Sequence, residues 1–227
     1  RQDMTTRGAA ACALCCFGEP AYKYFNDMLR IIVADKPQGP LGKTDEYLCQ
    51  ALKVLAADPY KAGLVTDKEL FYKAVMKMLN HKRMSGRGAG LDLIADIPLA
   101  DFYIVADKLM YIIQDEDRTY DSYHNPGNTV GKALTIFARL NIAEGVDLAF
   151  KCLDAETGKY GFKIKMIMAV LPKYGANAKS ALARLKTLNG STKTWDATIK
   201  KIESSTDAPK LITFEQAKQF GANKAKP

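Results

Sequence analysis

Apolar residues return every three or four positions along most of the chain, and strand-like alternation is scarce. Residues 7–17 form an Ala-rich stretch that stops at Gly18, a residue suited to closing a helix. Pro20 opens a second helix carrying Tyr24, Phe25, Met28, Leu29 and Ile32. After the Pro- and Gly-rich loop 36–42, a third helix is expected over 45–56. Thr66-x-x-Glu69 has the form of a capping box, with Leu70, Phe71, Val75, Met78 and Leu79 following at helical spacing. A fifth helix is expected over 83–95. Pro98 opens a sixth, striped by Phe102, Val105, Leu109, Ile112 and Ile113. Beyond the long polar loop 114–128, three more helices are expected. Leu134 and Phe137 mark the seventh, Ala149 and Phe150 the eighth, Ile167 and Val170 the ninth. Shorter helices are expected over 178–188 and 194–204, and a frayed tail over 221–227.

Two stretches of this pattern match each other. Arg7-Gly8-Ala9, Pro20, Asp27 and the pair Ile31-Ile32 are answered by Arg87-Gly88-Ala89, Pro98, Asp107 and the pair Ile112-Ile113, about 80 residues later. Half that interval recurs in apolar pairs three apart: Ala11 and Leu14, Leu52 and Leu55, Leu91 and Ile94, Leu134 and Phe137, Ile167 and Val170. The first members are spaced by 41, 39, 43 and 33 residues. Each pair falls in the first helix of a two-helix unit. One helical hairpin cannot bury its apolar face alone, whereas stacked hairpins bury a continuous core.

With these residues the chain resembles the HEAT-repeat, armadillo-like family over residues 5–188; residues 79–113 look most like one HEAT unit. The resemblance implies an all-α fold, an α-solenoid of about four to five two-helix repeats over 1–190, with a short C-terminal helical cap and tail over 191–227. It also implies binding of other proteins rather than catalysis. Small residues at Gly8, Ala9, Ala10, Gly88, Ala89 and Gly90 weaken helix propensity, and close helix packing is the reason to keep them.

Composition adds a charge asymmetry. The 227 residues carry 48% apolar and 26% charged side chains, an ordinary globular balance that excludes a disordered or low-complexity chain. The net charge is +8. Residues 157–195 hold Lys159, Lys163, Lys165, Lys173, Lys179, Arg184, Lys186 and Lys193 with no acid before Asp196. Such a run attracts nucleic acid or an acidic partner surface, or else keeps a surface solvated. Lys outnumbers Arg here, and Arg is better suited to forked phosphate contacts.

Candidate chemistry is sparse. The five cysteines, Cys12, Cys15, Cys16, Cys49 and Cys152, are an odd number and do not read as a disulfide framework; Cys12-x-x-Cys15 has no second half to complete a metal site. At helical spacing Cys12, Cys15 and Cys16 read as small packed residues. The richest polar cluster is 115–124, with Asp117, Arg118, Tyr120, Asp121, Tyr123 and His124. Its spacing matches no metal loop, and a binding surface on the loop edge of the solenoid is the expectation. No nucleophile elbow, phosphate loop or zinc motif is present, and Gly86-x-Gly88-x-Gly90 follows no strand and reads as helix packing. No cofactor is expected and no membrane span, and oligomeric state is left open. No targeting signal is visible, and the chain reads as a piece of a longer polypeptide, leaving a bacterial cytoplasmic or an exported setting open.

The functional expectation is a non-enzymatic scaffold that binds a protein partner or another part of its parent polypeptide. The alternatives are a polyanion-binding HEAT-like protein acting through 157–195, and an accessory domain of a larger exported enzyme.

Overall fold

A computed structural model describes residues 4–34, 46–55, 58–81, 84–116, 127–156, 168–187 and 193–224. The protein is all-helical; among the described residues there is no strand, only an isolated bridge between Ile142 and Ile212. The chain forms two compact units, Arg1–Ile97 and Pro98–Pro227.

In the first unit α1 (Met4–Cys15) is followed by a 3-10 turn (Glu19–Tyr24) running directly into α2 (Phe25–Ala34), then α3 (Glu46–Leu55), α4 (Lys68–Leu79) and α5 (Met84–Leu93). Gly18, at φ 64°, lies in the left-handed region and stops α1, its N–H donating to the Cys15 carbonyl. Every other helix packs side by side: α1 on α3, α3 on α5, and α2 on α4. Each odd helix after α1 also touches the even helix before it, α3 on α2 and α5 on α4. The core holds Leu29, Leu52, Val75 and Leu79, all fully buried, each contributing about 1.5–3 kcal/mol of apolar transfer. Phe25 stacks on Phe71 at 6.2 Å, and Tyr60 and Tyr72 meet the same ring edge-on.

The start of α4 corrects the capping-box reading. The cap is Asp67, in extended backbone, whose carboxylate accepts the Leu70 N–H at 3.0 Å. The Thr66 hydroxyl instead accepts the Asn26 side-chain amide at 3.1 Å, tying α4 to α2. Asp is as good a cap as Thr, and its reach to Leu70 displaces the frame by one residue.

The second unit opens with a 3-10 turn (Phe102–Ile104). α6 (Ala106–Tyr111) follows and passes into a π-helical turn (Ile112–Glu116). Then come α7 (Gly127–Arg139), α8 (Glu144–Glu156), a kinked 3-10 segment (Leu171–Ala181), α9 (Leu182–Thr187), α10 (Lys193–Glu203) and α11 (Phe214–Lys224). α7 rests on the π turn, α8 on the 3-10 segment, and α10 on that segment and on α9. The buried Trp195 indole donates to the Leu185 carbonyl at 3.2 Å, clamping α10 to α9.

α11 overturns the expectation of a frayed tail as far as residue 224. Phe214 enters a ring cluster with Phe102 (6.0 Å, edge-on) and Phe137 (5.8 Å, stacked). Ala217 is fully buried, and Gly221 lies against the Ala100 carbonyl and the Tyr103 ring, where a side chain would not fit. The Lys218 ammonium donates to Asp107 at 2.6 Å, a bond that raises its pKa. The residues before α11 are sewn down as well. Ala143 N–H donates to Ile212 O, Ile212 N–H to Asn141 O, and Phe214 N–H to the Glu144 carboxylate.

The internal match found in the sequence carries through to structure at an offset of 80. α1 and α5 start at Met4 and Met84, and the 3-10 turns end at Tyr24 and Ile104. Phe25 and Val105, Leu29 and Leu109, and Ile32 and Ile112 are buried pairs. Ile31 and Tyr111 are both exposed. The shorter interval has a structural counterpart too. Leu52 and Leu91 share one register position, and the residues after them, Lys53 and Asp92, bridge α3 and α5 at 2.8 Å. The residue before that position is small in four helices: Ala10, Ala51, Gly90 and Ala133. It is buried in α3, α5 and α7 and exposed in α1.

Candidate interaction surfaces

Most of the residues singled out in the sequence, Asp117, Arg118, Tyr120, Asp121, Tyr123 and His124, and Lys159, Lys163 and Lys165, lie outside the described residues. Lys173 is described: it is exposed at the start of the 3-10 segment that follows Val170.

The chain around Lys173 is held by a sharp kink. Gly175 adopts φ 59° and ψ −137°, a conformation costly for any side chain, and its Cα faces the Asp207 carbonyl and the Ser205 hydroxyl. Next to it Ala176 N–H donates to Asp207 O, and the Asn177 amide donates to Pro209 O at 2.7 Å. The buried Tyr174 hydroxyl donates to Ile142 O at 3.0 Å. Burial, and then the Glu144 carboxylate, push the pKa of this phenol up, so it stays a neutral donor. These bonds fasten the end of α10 and the segment after it beside the kink. Lys173 precedes the kink by two residues, Lys200 and Lys201 lie in the last turn of α10, and Lys210 follows Pro209, so these bonds tie together the segments that carry them. All four are exposed, and none forms an ion pair among the described residues. Lys186 differs, being paired with Glu203 at 2.8 Å, and Arg184 lies over the Phe150 ring.

A second surface is apolar. Ala10, Ala13 and Phe17 are exposed at i, i+3 and i+7 on α1 and the turn after it, with Phe17 71% exposed. At the offset of 80 Phe17 corresponds to Ile97, which is fully buried.

The cysteines part company on α1. Cys15 is buried, Cys12 half-buried and Cys16 exposed, which corrects the expectation of three packed thiols. The Cys16 thiol donates to the Cys12 carbonyl at 3.3 Å. Burial, with the neighbouring Cys12 and Cys16 thiols, pushes the Cys15 pKa up to about 11, so it is not an activated nucleophile. Among the described residues no group of three His, Cys, Asp or Glu could hold a metal ion, and no helix is long and apolar enough to cross a membrane.

His81 lies just past the end of α4, and Gly86 lies directly on its ring, while the buried Arg87 donates to the His81 carbonyl at 2.8 Å. A methyl placed on Gly90 would lie 3.0 Å from the Met78 Cβ and 3.3 Å from Leu79. The glycine run is helix packing: it lets α5 close onto α4. Sequence reading missed two features, α11 and the small-residue register. The second was visible as Ala10, Ala51, Gly90 and Ala133, each one place before an apolar pair.

The fold is thus an all-helical one. No protein-family model, no curated protein and no solved structure matches the chain.

Proposed function

We propose that this chain is a non-enzymatic interaction module, a HEAT-like stack of helical hairpins whose exposed faces hold a protein partner or another part of its own polypeptide. The observation that carries this reading is the packing of alternate helices, α1 on α3 on α5 and α2 on α4. An array of that kind buries its core between neighbours and leaves extended helix faces for binding. The test is cross-linking of the tagged full chain in native extract, with the links mapped by mass spectrometry. A partner whose links fall on exposed helix faces, and which stays bound after purification, is the expected result. Turnover of a substrate by the purified chain, with no linked species, would overturn the reading.

The lysine-rich end favours a second reading, binding of an anionic polymer. Lys173, Lys200, Lys201 and Lys210 are exposed on segments tied to one another at the Gly175 kink, without ion pairs among the described residues. A labelled duplex oligonucleotide titrated over a salt series reads it directly. Affinity should fall steeply with salt. Lys200→Gln with Lys201→Gln should reduce the log–log slope by about 1.8, at roughly 0.9 for each phosphate no longer neutralised. Absent or salt-insensitive binding rejects this reading.

A further inference from the structure

Three of the five thiols crowd the end of α1. Cys12, Cys15 and Cys16 stand at i, i+3 and i+4. The Cys16 side chain folds back along the helix, its thiol donating to the Cys12 carbonyl at 3.3 Å, so residues 12 and 16 share one face. Cys15 is set apart. Burial, and after it the neighbouring thiols, raise its pKa to about 11, which keeps it protonated at neutral pH and a poor nucleophile. The chain after α1 is lightly held. The N–H groups of Cys16, Phe17 and Gly18 donate to carbonyls three residues back at 3.2, 3.1 and 3.2 Å, the long end of the ordinary range. Gly18, at φ 64°, then turns the chain into the 3-10 segment. In a regular helix the Cβ atoms at i and i+4 are about 5–6 Å apart, whereas a disulfide holds them at about 3.5–4.5 Å. Joining Cys12 to Cys16 therefore draws residue 16 toward residue 12 by about 1–2 Å and pulls on those three bonds first.

We propose that Cys12 and Cys16 are the two halves of a reversible, peroxide-driven dithiol–disulfide switch that opens the turn carrying Phe17. The exposed Cys16 reacts first. Its thiolate attacks one peroxide oxygen, the O–O bond breaks, and the other oxygen leaves as hydroxide and takes up the thiol's proton as water. Cys16 is then a sulfenic acid. The Cys12 thiolate attacks the Cys16 sulfur, the S–O bond breaks, and hydroxide leaves to become a second water. Two thiols are oxidised to one disulfide and one peroxide is reduced to two waters. An external dithiol reverses the change by thiol–disulfide exchange. Cys15 is a poor rival for Cys12, because its proton is held by burial, and a bond to its neighbour Cys16 would distort the peptide link between them. What the switch moves is Phe17, the residue after Cys16, whose ring is exposed. The inference is independent of the stacked-hairpin reading, and either can fail without the other.

The test treats the reduced full chain with hydrogen peroxide, blocks the remaining thiols with iodoacetamide and maps the peptides without reduction. Trypsin releases residues 8–23, which carry all three thiols, as one peptide. That peptide should lose two hydrogens, keep one alkylated cysteine, Cys15, and regain all three on treatment with dithiothreitol. Cys15→Ala should leave the loss of two hydrogens intact. Cys12→Ser should abolish it and let a dimedone adduct accumulate on Cys16, and Cys16→Ser should abolish both. Cys12 is half-buried and Cys16 exposed, so helical circular dichroism of the two serine variants should match that of the parent chain. A bond that survives Cys12→Ser or Cys16→Ser, a bond formed only between two molecules, or no bond at all overturns the pairing. Hydrogen exchange reads the switch itself: in the oxidised chain the amides of residues 16–18 should exchange about fivefold faster, and dithiothreitol should restore them. A disulfide that leaves their exchange unchanged would be a passive bond and would overturn the switch.

Discussion

At the scale of single residues, the molecule separates groups that look alike in the sequence. Cys15 and Cys16 are neighbours, yet one thiol is buried and the other exposed. The thiolate is the reactive form, so iodoacetamide at pH 8 should modify Cys16 well before Cys15, as read by peptide mass spectrometry. Cys15 labelling should keep accelerating as pH approaches about 11, because burial and the adjacent thiols hold its proton. The sign for stability follows. The folded pKa lies above the ordinary 9.0, so the unfolded chain ionises first. This group therefore costs no stability below pH 9 and progressively more as pH rises toward 11. Tyr174 and Gly145 form a second residue-level pair. A methyl added at Gly145 would meet the Tyr174 hydroxyl. Gly145→Ala should destabilise by about 1–3 kcal/mol through overpacking. Tyr174→Phe should cost only about 0.5–1.5 kcal/mol, because the Gly145 N–H still serves the Ile142 carbonyl. In the double variant the Gly145→Ala penalty should shrink by about 1 kcal/mol, since the colliding oxygen is gone. Urea denaturation of the four proteins checks the cycle, and strict additivity would refute it.

At the scale of elements, helix ends are where local chemistry decides and where the sequence is hardest to read. Asp67→Ala should destabilise by about 1 kcal/mol through loss of the cap on Leu70 N–H. Thr66→Ala should act through the Asn26 contact alone and cost less. Comparing their denaturation midpoints decides which residue caps α4. The apolar stripes of α2, α4 and α7 were legible because each has a buried side and a solvated side, so periodicity reports packing directly. α11 was not legible. Its buried positions are Phe214, Ala217 and Gly221, one large residue and two small ones, which leave almost no apolar stripe. Gly221 reads as a tail residue until the Ala100 carbonyl is seen to need the space. The 3-10 and π turns escaped for a related reason: they begin or prolong helices whose stripe hides a change of pitch. Of the candidate binding residues, the lysine run announced itself by charge, but the tethering of Lys173 beside the segment that carries Lys210 depends on a backbone kink at Gly175 and on bonds to residues some thirty positions away. No spacing rule foretells that.

At the scale of the whole molecule, the question is how far a local loss of stability travels. A single central core would share any damage, whereas a nearest-neighbour array confines it to adjoining helices. Leu52 is fully buried in α3, which touches α1, α2 and α5. Leu52→Ala removes about 2–5 kcal/mol of packing at that point. In an array, amide exchange in α1, α3 and α5 should accelerate by about thirtyfold or more, the factor that corresponds to roughly 2 kcal/mol at 1.36 kcal/mol per decade. α10 and α11, tied down by Trp195 and the Phe102–Phe137–Phe214 rings, should keep their protection. Hydrogen-exchange mass spectrometry on the intact chain resolves these segments in one experiment. Uniform acceleration from α1 to α11 would mean that the chain unfolds about one shared nucleus. The recurring small-residue register would then be coincidence, and the exposed helix faces would lose the rigidity a binding scaffold requires.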